Sequence, residues 1–266
     1  MAQEKWLVDG EKVIDIEMIR NLKVSMIAGQ VNVIGHDEPG ARVEVHSVSG
    51  KELKVSIDGD TLEVDHPQLR WDNFIDVFKS FKGSARADVT ITVPRDVALT
   101  FGVVSASALV TGLTEDASIS TVSGDVVVDG VYGDLQLHGV SGEIAVRNHY
   151  GDITARTISG DITATGEIMK FGSESVSGDV FLDIVGTPDS ARVSTVSGNV
   201  TVRLAAGVPA QYKINTVSGR LQLDDSSVSG VRGNYTSKYG ELDNRWLEFR
   251  ANTVSGNVSV LHAVPA

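Results

Sequence analysis

A four-residue motif that recurs at nearly constant spacing constrains this chain more than any other feature. The motif reads Val122-Ser123-Gly124-Asp125, and the glycines of its seven copies lie 18, 18, 18, 20, 21 and 37 residues apart. A half-copy follows two of them after nine residues, at Gly133 and Gly151. Such a period predicts stacked coils, because each coil can bury its apolar side only against a neighbouring coil. The seven glycines are Gly124, Gly142, Gly160, Gly178, Gly198, Gly219 and Gly256.

Alternating apolar residues follow each motif and predict short strands. Because successive side chains of a strand point to opposite faces, the apolar positions are expected to face inward. The predicted inward pairs are Val126 and Val128, Ile144 and Val146, Ile162 and Ala164, Val180 and Leu182, Val200 and Val202, Leu221 and Leu223, and Val258 and Val260. We therefore expect an all-β fold. More specifically, we expect a parallel β-solenoid (a β-helix, right-handed) with coils of 18–20 residues and two main sheets, with a third short side as the alternative.

The N-terminal part of the chain has a different pattern. Between residues 6 and 64, period-two alternation is interrupted by Gly and Pro turn signals, which predicts an N-terminal antiparallel β segment. We assign residues 1–100 to this segment together with the first coil and an aromatic-rich insertion at residues 67–85. Residues 101–266 are predicted to form the regular β-solenoid, continuous with residues 1–100 as a single domain.

The aromatic-rich insertion is the main candidate interaction surface in the sequence. Trp71, Phe74, Phe78 and Phe81 fall at helical spacing, with charged residues on the other faces. One interpretation is a short helix or loop that caps or flanks the solenoid. The other is an exposed patch for a protein partner or a membrane surface.

The ends of a solenoid carry unpaired strand edges, which can template pairing with another chain. The N-terminal strands and the aromatic insertion are expected to cover one end. At the other end only five residues follow Leu261. We therefore expect the coil at residues 253–261 to be the more exposed edge and the route to self-association, with the long corner at 224–245 as a rival cover.

Charge and composition limit the partners and the compartment. The formal charge is −12, and no stretch of the sequence gathers Lys and Arg on one β-face, so we expect no nucleic-acid binding. The chain has no cysteine, which excludes disulfides and thiolate metal sites. Neither a signal-peptide pattern nor a long apolar run is present. We expect a cytoplasmic protein, with the cell surface as the alternative.

The acidic position after the motif glycine is the strongest metal candidate. Stacked coils would place Asp125, Glu143, Asp161 and Asp179 in one column, with neighbours about 4.8 Å apart. Calcium would compensate the repulsion between them, but a calcium-binding nonapeptide repeat has a richer glycine and aspartate pattern. The column also continues through asparagines and Arg220, which does not suit a metal ladder. We therefore interpret these acids as structural turn residues and predict no metal site.

The sequence also gives no catalytic constellation. The motif serines repeat with the turn, the six histidines lack metal-ligand spacing, and the motif glycines precede no helix that could bind a phosphate. Glycan-cleaving β-helices gather carboxylates with Arg or Lys on a sheet face. The outward positions after each motif, such as Val127, Thr163 and Ser259, have no such group. We predict no catalytic residue, no cofactor and no enzymatic activity.

Three segments carry a resemblance to a known family. Residues 27–35 (Ile-Ala-Gly-Gln-Val-Asn-Val-Ile-Gly), residues 89–94 (Val-Thr-Ile-Thr-Val-Pro) and the serial Val-Ser-Gly-Asp-Val copies resemble a bacterial β-strand-repeat domain family of unknown function labelled "putative adhesin". The resemblance covers about residues 20–262. It implies a non-enzymatic β-solenoid that acts as a scaffold or as an adhesin-like binding protein for a protein partner. The alternative is a glycan-binding or glycan-active β-helix.

Overall fold

The computed structural model describes residues 4–66, 85–229 and 232–264, and in these ranges the regular secondary structure consists of strands. The predicted all-β fold is confirmed. Within the same ranges, no helix is long and apolar enough to cross a membrane. The aromatic candidates Trp71, Phe74, Phe78 and Phe81 lie outside the described residues. The chain divides into two compact units, Met1–Gly133 and Asp134–Ala266.

The first unit contains twelve described strands, which form two ladders. In one ladder β3 pairs in parallel with β7 and β9, and β9 pairs with β11. In the other, β4 pairs in parallel with β8 and β10, and β10 pairs with β12. The strands are β1 (Glu4–Val8), β2 (Lys12–Ile16), β3 (Asn21–Met26), β4 (Ala28–His36), β5 (Ala41–Ser49), β6 (Leu53–Asp58), β7 (Thr61–Asp65), β8 (Arg86–Pro94), β9 (Ala98–Val103), β10 (Ser107–Thr111), β11 (Ala117–Thr121) and β12 (Val126–Asp129).

Antiparallel strands extend both ladders of the first unit at the N-terminal side. β5 pairs with β8 and β2 pairs with β5, while β6 pairs with β7 and β1 pairs with β6. The β6–β7 hairpin turns at Gly59, whose φ of 66° is accessible to glycine without strain. These strands come from the part of the sequence in which period-two alternation and turn signals predict an antiparallel segment.

The second unit also contains twelve described strands, and its first coils stack in chain order. The C-terminal halves of β14 and β15 form one parallel ladder with β13 and β17, and their N-terminal halves form another with β16 and β18. The strands are β13 (Leu135–Ser141), β14 (Ile144–Ser159), β15 (Ile162–Ser177), β16 (Val180–Ile184), β17 (Ser190–Ser197), β18 (Val200–Leu204), β19 (Ala210–Ser218), β20 (Arg220–Leu223), β21 (Ser226–Ser229), β22 (Gly233–Tyr239), β23 (Leu247–Ser255) and β24 (Val258–His262).

The last coil of the second unit departs from chain order. β23 lies between β17 and β19, and β24 lies between β18 and β20, each with a parallel partner on both sides. The coil made by β19 and β20 is therefore the outer one. β22 and β21 pair antiparallel with β19 and β20 beyond it.

This coil order corrects one prediction. The coil at residues 253–261 is an interior coil, so the expectation that it forms the exposed edge is wrong. The rival cover is the correct one, because β21 and β22 come from the 224–245 corner. The prediction assumed that the coils stack in chain order. The β23–β24 coil instead lies between the β17–β18 coil and the β19–β20 coil.

The core follows the predicted strand parity. Among the predicted inward residues, Val126, Ile144, Leu182 and Val260 are fully buried, and Leu223 is the most exposed at 7 %. These side chains are removed from water between the two ladders of each unit, which is the main source of stability of a coil.

Candidate binding face

The predicted acidic column forms a chain of hydrogen bonds along the stack of the second unit. Asp161 Oδ1 accepts from the backbone N–H of Asp179 (2.8 Å), and Asp179 Oδ1 accepts from that of Asn199 (2.7 Å). Asn199 Oδ1 then accepts from the N–H of Asn257 (3.3 Å), and Asn257 Oδ1 from that of Arg220 (3.1 Å). Each side chain satisfies an amide of the next coil. Arg220 contributes only its backbone N–H, so an arginine is compatible with this position.

The hydrogen bonds accepted by Asp161 and Asp179 connect neighbouring coils, so these two acids have a structural role. An oxygen of Asp161 and one of Asp179 each accept a backbone amide of the next coil, so these oxygens are used within the fold. In the described part of the chain, no group of three or more histidine, aspartate or glutamate residues could hold a metal ion. The geometry supports the interpretation of these acids as turn residues.

A row of three cations crosses neighbouring strands of the second unit. Arg192 on β17, Arg250 on β23 and Lys213 on β19 occupy adjacent positions of the parallel ladder, and all three side chains are exposed. This arrangement overturns the expectation that no β-face gathers Lys and Arg. The residues lie up to 58 positions apart in the sequence and meet only because their coils stack.

A row of three amides runs beside the cations, two residues beyond the cation row on β23 and β19 and continuing onto β22. Asn252 on β23 neighbours Asn215 on β19, which in turn neighbours Asn234 on β22. All three side chains are exposed, and they make no hydrogen bond among the described residues. A shallow depression of about 460 Å³ is lined by two of the cations, Lys213 and Arg250, and by all three amides. We call this surface the basic-amide face, which consists of Arg192, Lys213, Arg250, Asn215, Asn234 and Asn252.

The cations outnumber the carboxylates on this face. Glu248 is the carboxylate that they share: its Oε1 lies 2.6 Å from Arg250 Nη2 and 3.1 Å from Lys213 Nζ, and its Oε2 lies 3.9 Å from Arg192 Nη2. The hydrogen bonds from Arg250 and then from Lys213 lower the pKa of Glu248. One carboxylate thus serves three cations. Lys238, also exposed, adds a positive charge on β22 opposite Gln211 and has no carboxylate partner among the described residues.

An exposed aliphatic stripe borders the basic-amide face at the corner of the coils. It consists of the first residue of the repeated motif in five coils of the second unit, where that residue follows a Thr or Ser. The first-unit equivalent Val122 is only 7 % exposed and Val140, which follows Gly139, is half-buried, whereas these five residues are 47–60 % exposed. We call this set the aliphatic ridge, and its members in stacking order are Ile158, Val176, Val196, Val254 and Val217.

His262 connects the inserted β23–β24 coil to the outer β19–β20 coil through hydrogen bonds. Both oxygens of Asp224 lie within 3.0 Å of His262 Nδ1, and the same carboxylate accepts the backbone N–H of His262 at 2.7 Å. His262 Nε2 lies 2.9 Å from the carbonyl oxygen of Val208, and Tyr239 stacks on the ring with centroids 3.8 Å apart. The cluster joins β24 to the end of β20, so its role is structural.

Sequence reasoning missed the basic-amide face, although a signal was present. When the coils are aligned on the motif, Arg192, Lys213 and Arg250 each stand three residues before the corner threonine. Asn215 and Asn252 stand directly before it. The alternating outward residues that are easiest to recognise lie on the strands that follow each motif, whereas the face lies on the strands that precede it.

The solved structures that are similar to this chain have low sequence identity to it. A "putative lipid binding protein" from Parabacteroides distasonis is 11% identical and has a TM-score of 0.52, with 95% of this chain and 97% of that chain covered. A "putative adhesin" from Bacteroides fragilis is 11% identical, with a TM-score of 0.41 and coverage of 95% and 99%. A "putative cell adhesion protein" from Clostridium sporogenes is 12% identical, with a TM-score of 0.29 and coverage of 98% and 100%.

Among curated proteins, none matches the chain. The family model described as Toastrack DUF4097 matches residues 19–261, which is most of the sequence. The predicted resemblance to a bacterial family of unknown function is confirmed, and the chain belongs to the Toastrack DUF4097 family.

Proposed function

We propose that this protein is a non-enzymatic, adhesin-like binding protein, in which a parallel β-solenoid serves as a rigid scaffold and presents the basic-amide face to its ligand. The observation that carries the proposal is that the motif side chains and the side chains of the basic-amide face have different surroundings. The motif residues are used within the coils, where Asp161 and Asp179 satisfy backbone amides of neighbouring coils. The basic-amide face points outward and leaves most of its charges and amides for another molecule.

The coils do not need these cations in order to fold. On β14 and β15 the positions in register with Arg192 are Thr154 and Gly172, so the ladder accepts uncharged residues there. Placing Arg192 beside Arg250 and Arg250 beside Lys213 instead brings like charges together on neighbouring strands, which destabilises a sheet. A surface that costs stability without supporting the fold is typical of a binding site.

A binding role fits this surface better than glycan cleavage. A glycosidase needs a carboxylic acid with a raised pKa to protonate the leaving group and a second carboxylate nearby. Glu248 has the opposite environment, because Arg250 and Lys213 lower its pKa and occupy its oxygens. The alternative that keeps support is therefore glycan binding without cleavage.

Two further surfaces belong to the proposal. The aromatic residues Trp71, Phe74, Phe78 and Phe81 stay a predicted surface for a protein partner. Self-association through a solenoid end would use β22, since among the described strands it pairs with β19 alone. An unpaired strand edge of this kind can accept a strand from a second molecule.

The proposal is tested by screening the full chain against immobilised glycans and extracellular proteins. The face triple variant, which combines Arg192→Gln, Lys213→Gln and Arg250→Gln, is screened in parallel. We expect a ligand that the wild-type chain retains and the face triple variant releases, with no change in ligand size during incubation. A ligand retained equally by both, or one that the protein cleaves, would contradict the proposal.

A further inference from the structure

Resting on the proposed function, we infer that the ligand of the basic-amide face is an anionic polysaccharide that runs across β17, β23, β19 and β22. The inference depends on three features of the face: its excess of positive charge, its row of free amides, and the spacing of its strands.

The charge of the face selects an anion. Arg192, Lys213 and Arg250 share the single carboxylate of Glu248, which leaves two positive charges without a counter-charge among the described residues. The whole chain carries a formal charge of −12, so the charge of this face is opposite in sign to the net charge of the protein. An Arg guanidinium can bind a carboxylate or a sulfate through two parallel hydrogen bonds, which Lys cannot do.

The amide row selects a partner rich in hydroxyl groups. Each Asn side chain offers two donors and one acceptor oxygen, and a sugar hydroxyl both donates and accepts. Asn252, Asn215 and Asn234 lie side by side and are free of hydrogen bonds to the described residues. Because the amide row is two residues from the cation row, the rows are about 7 Å apart. A sugar with an acidic group on one edge and hydroxyls on the other matches this separation.

The strand spacing favours a polymer over a single sugar. Neighbouring strands are about 4.8 Å apart, so a linear chain that crosses them meets a cation on β17, a cation and an amide on both β23 and β19, and an amide on β22. This spacing is similar to the length of one sugar residue. The aliphatic ridge, with Val196, Val254 and Val217 at the end of the same strands, offers a surface for the C–H faces of the sugar rings.

Other polyanions fit the face less well. Proteins that bind single-stranded nucleic acids present several aromatic side chains, on which successive bases stack. The depression on the face is lined by a single aromatic residue, Tyr235, among the described residues, so successive bases would have one ring on which to stack.

The test is a titration of the full chain with polygalacturonate, with dextran sulfate as the sulfated arm and neutral dextran as the uncharged arm. We expect binding to at least one of the two anionic polymers, weakened by added NaCl, and none to dextran. The face triple variant should bind about tenfold more weakly, since each exposed ion pair contributes little alone and three add up.

A matched control removes three cations of the same unit that already have carboxylate partners. Arg156, Lys170 and Arg203 lie within 3.2 Å of Glu174, Asp152 and Asp183. Replacing all three by Gln changes the net charge by the same amount as the face triple variant. We expect this control to bind almost as well as the wild-type chain.

Two further variants separate a specific face from a folding defect. Glu248→Gln removes the carboxylate that competes with the ligand, so we expect it to tighten binding about threefold. Asn215→Ala combined with Asn252→Ala should weaken binding while the dependence on NaCl stays unchanged, because no charge is lost. Thermal melts of every variant establish that it is folded.

Three results would overturn the inference: equal binding to neutral dextran, tighter binding to duplex DNA than to either anionic polysaccharide, or no gain from Glu248→Gln. If neither anionic polymer binds but the screen finds another ligand that the face triple variant releases, this inference fails and the proposed function stands. If the screened ligands are insensitive to the face triple variant, the proposed function fails as well.

Discussion

The motif glycines of the second unit can be tested by adding a single methyl group. A Cβ placed on Gly256 would overlap the carbonyl oxygen of Gly198 in the neighbouring coil and would lie 3.0 Å from its carbonyl carbon. The backbone of Gly256 is outside the left-handed region, so Gly256→Ala creates a steric clash without a change in backbone preference. The obstructing atoms are backbone, and a rotamer change cannot relieve the clash.

The loss of stability expected for Gly256→Ala has two sources, the steric clash itself and the weakening of a hydrogen bond between the coils. Overpacking a close contact costs about 1–3 kcal/mol. Separating these two coils at this corner also weakens the hydrogen bond from Gly198 N to Ser255 O (3.4 Å). Such a bond contributes about 1 kcal/mol. We therefore expect Gly256→Ala to lower the free energy of unfolding by about 2–4 kcal/mol.

Gly172 provides the matched control. It lies on β15, a Cβ there would meet nothing within 4 Å, and its φ is also outside the left-handed region. Because alanine restricts the unfolded chain more than glycine, Gly172→Ala should be neutral or should stabilise by up to about 1 kcal/mol. Urea melts of both variants measure the difference. Equal stabilities would show that the coils do not approach closely at the motif glycines.

Three other predictions concern the core, the acidic column and a buried histidine. Leu182→Asp leaves an unpaired buried charge and should cost about 3–5 kcal/mol in urea melts, whereas Thr201→Asp on the outer side should cost much less; equal losses would contradict the strand parity. Asp179→Ala should cost about 1 kcal/mol and Asp179→Asn less, with no stabilisation of the wild type by millimolar calcium. Burial lowers the pKa of His66 to about 4. Since the unfolded state takes up a proton near pH 6.5 and the folded state does not, stability should fall from pH 7 to pH 5 by about 2 kcal/mol more in the wild type than in His66→Asn.

The local structure of the coils was predictable because strands and corners leave periodic signals. Alternation at period two identifies Val180 and Leu182 as inward residues, and both are buried. The motif repeat predicts the corners, although positive φ explains only some of the motif glycines. Gly142, Gly178 and Gly198 have a positive φ. The close approach of a carbonyl oxygen from a neighbouring coil is the reason shared by Gly160, Gly178, Gly198, Gly219 and Gly256.

The order of the coils was not predictable from these signals. A strand is held by the same hydrogen bonds and the same apolar columns whether its neighbour is the next coil in the sequence or a later one. Val202 on β18 is buried beside Val260 on β24. Leu223 on β20 would fill the same place in a chain-order stack. Only the long segment at 224–245 hints that the chain leaves the stack and returns.

Coil order can be tested directly, because the chain has no cysteine and each introduced pair reports one neighbour relation. Thr201 and Ser259 are parallel neighbours, as are Gln222 and Ser259, whereas Thr201 and Gln222 are separated by the inserted strand. A disulfide needs Cα atoms no more than about 7 Å apart, which adjacent strands satisfy and strands two positions apart, at about 9.6 Å, do not. We expect the 201–259 and 222–259 cysteine pairs to oxidise readily and the 201–222 pair to stay reduced, as measured by thiol titration after mild oxidation. Stacking in chain order predicts the opposite for 201–259 and 201–222, while 222–259 would form in either case and serves as the positive control. The outcome also bears on the basic-amide face, since only the inserted order places Glu248 within reach of cations from the coils on both of its sides.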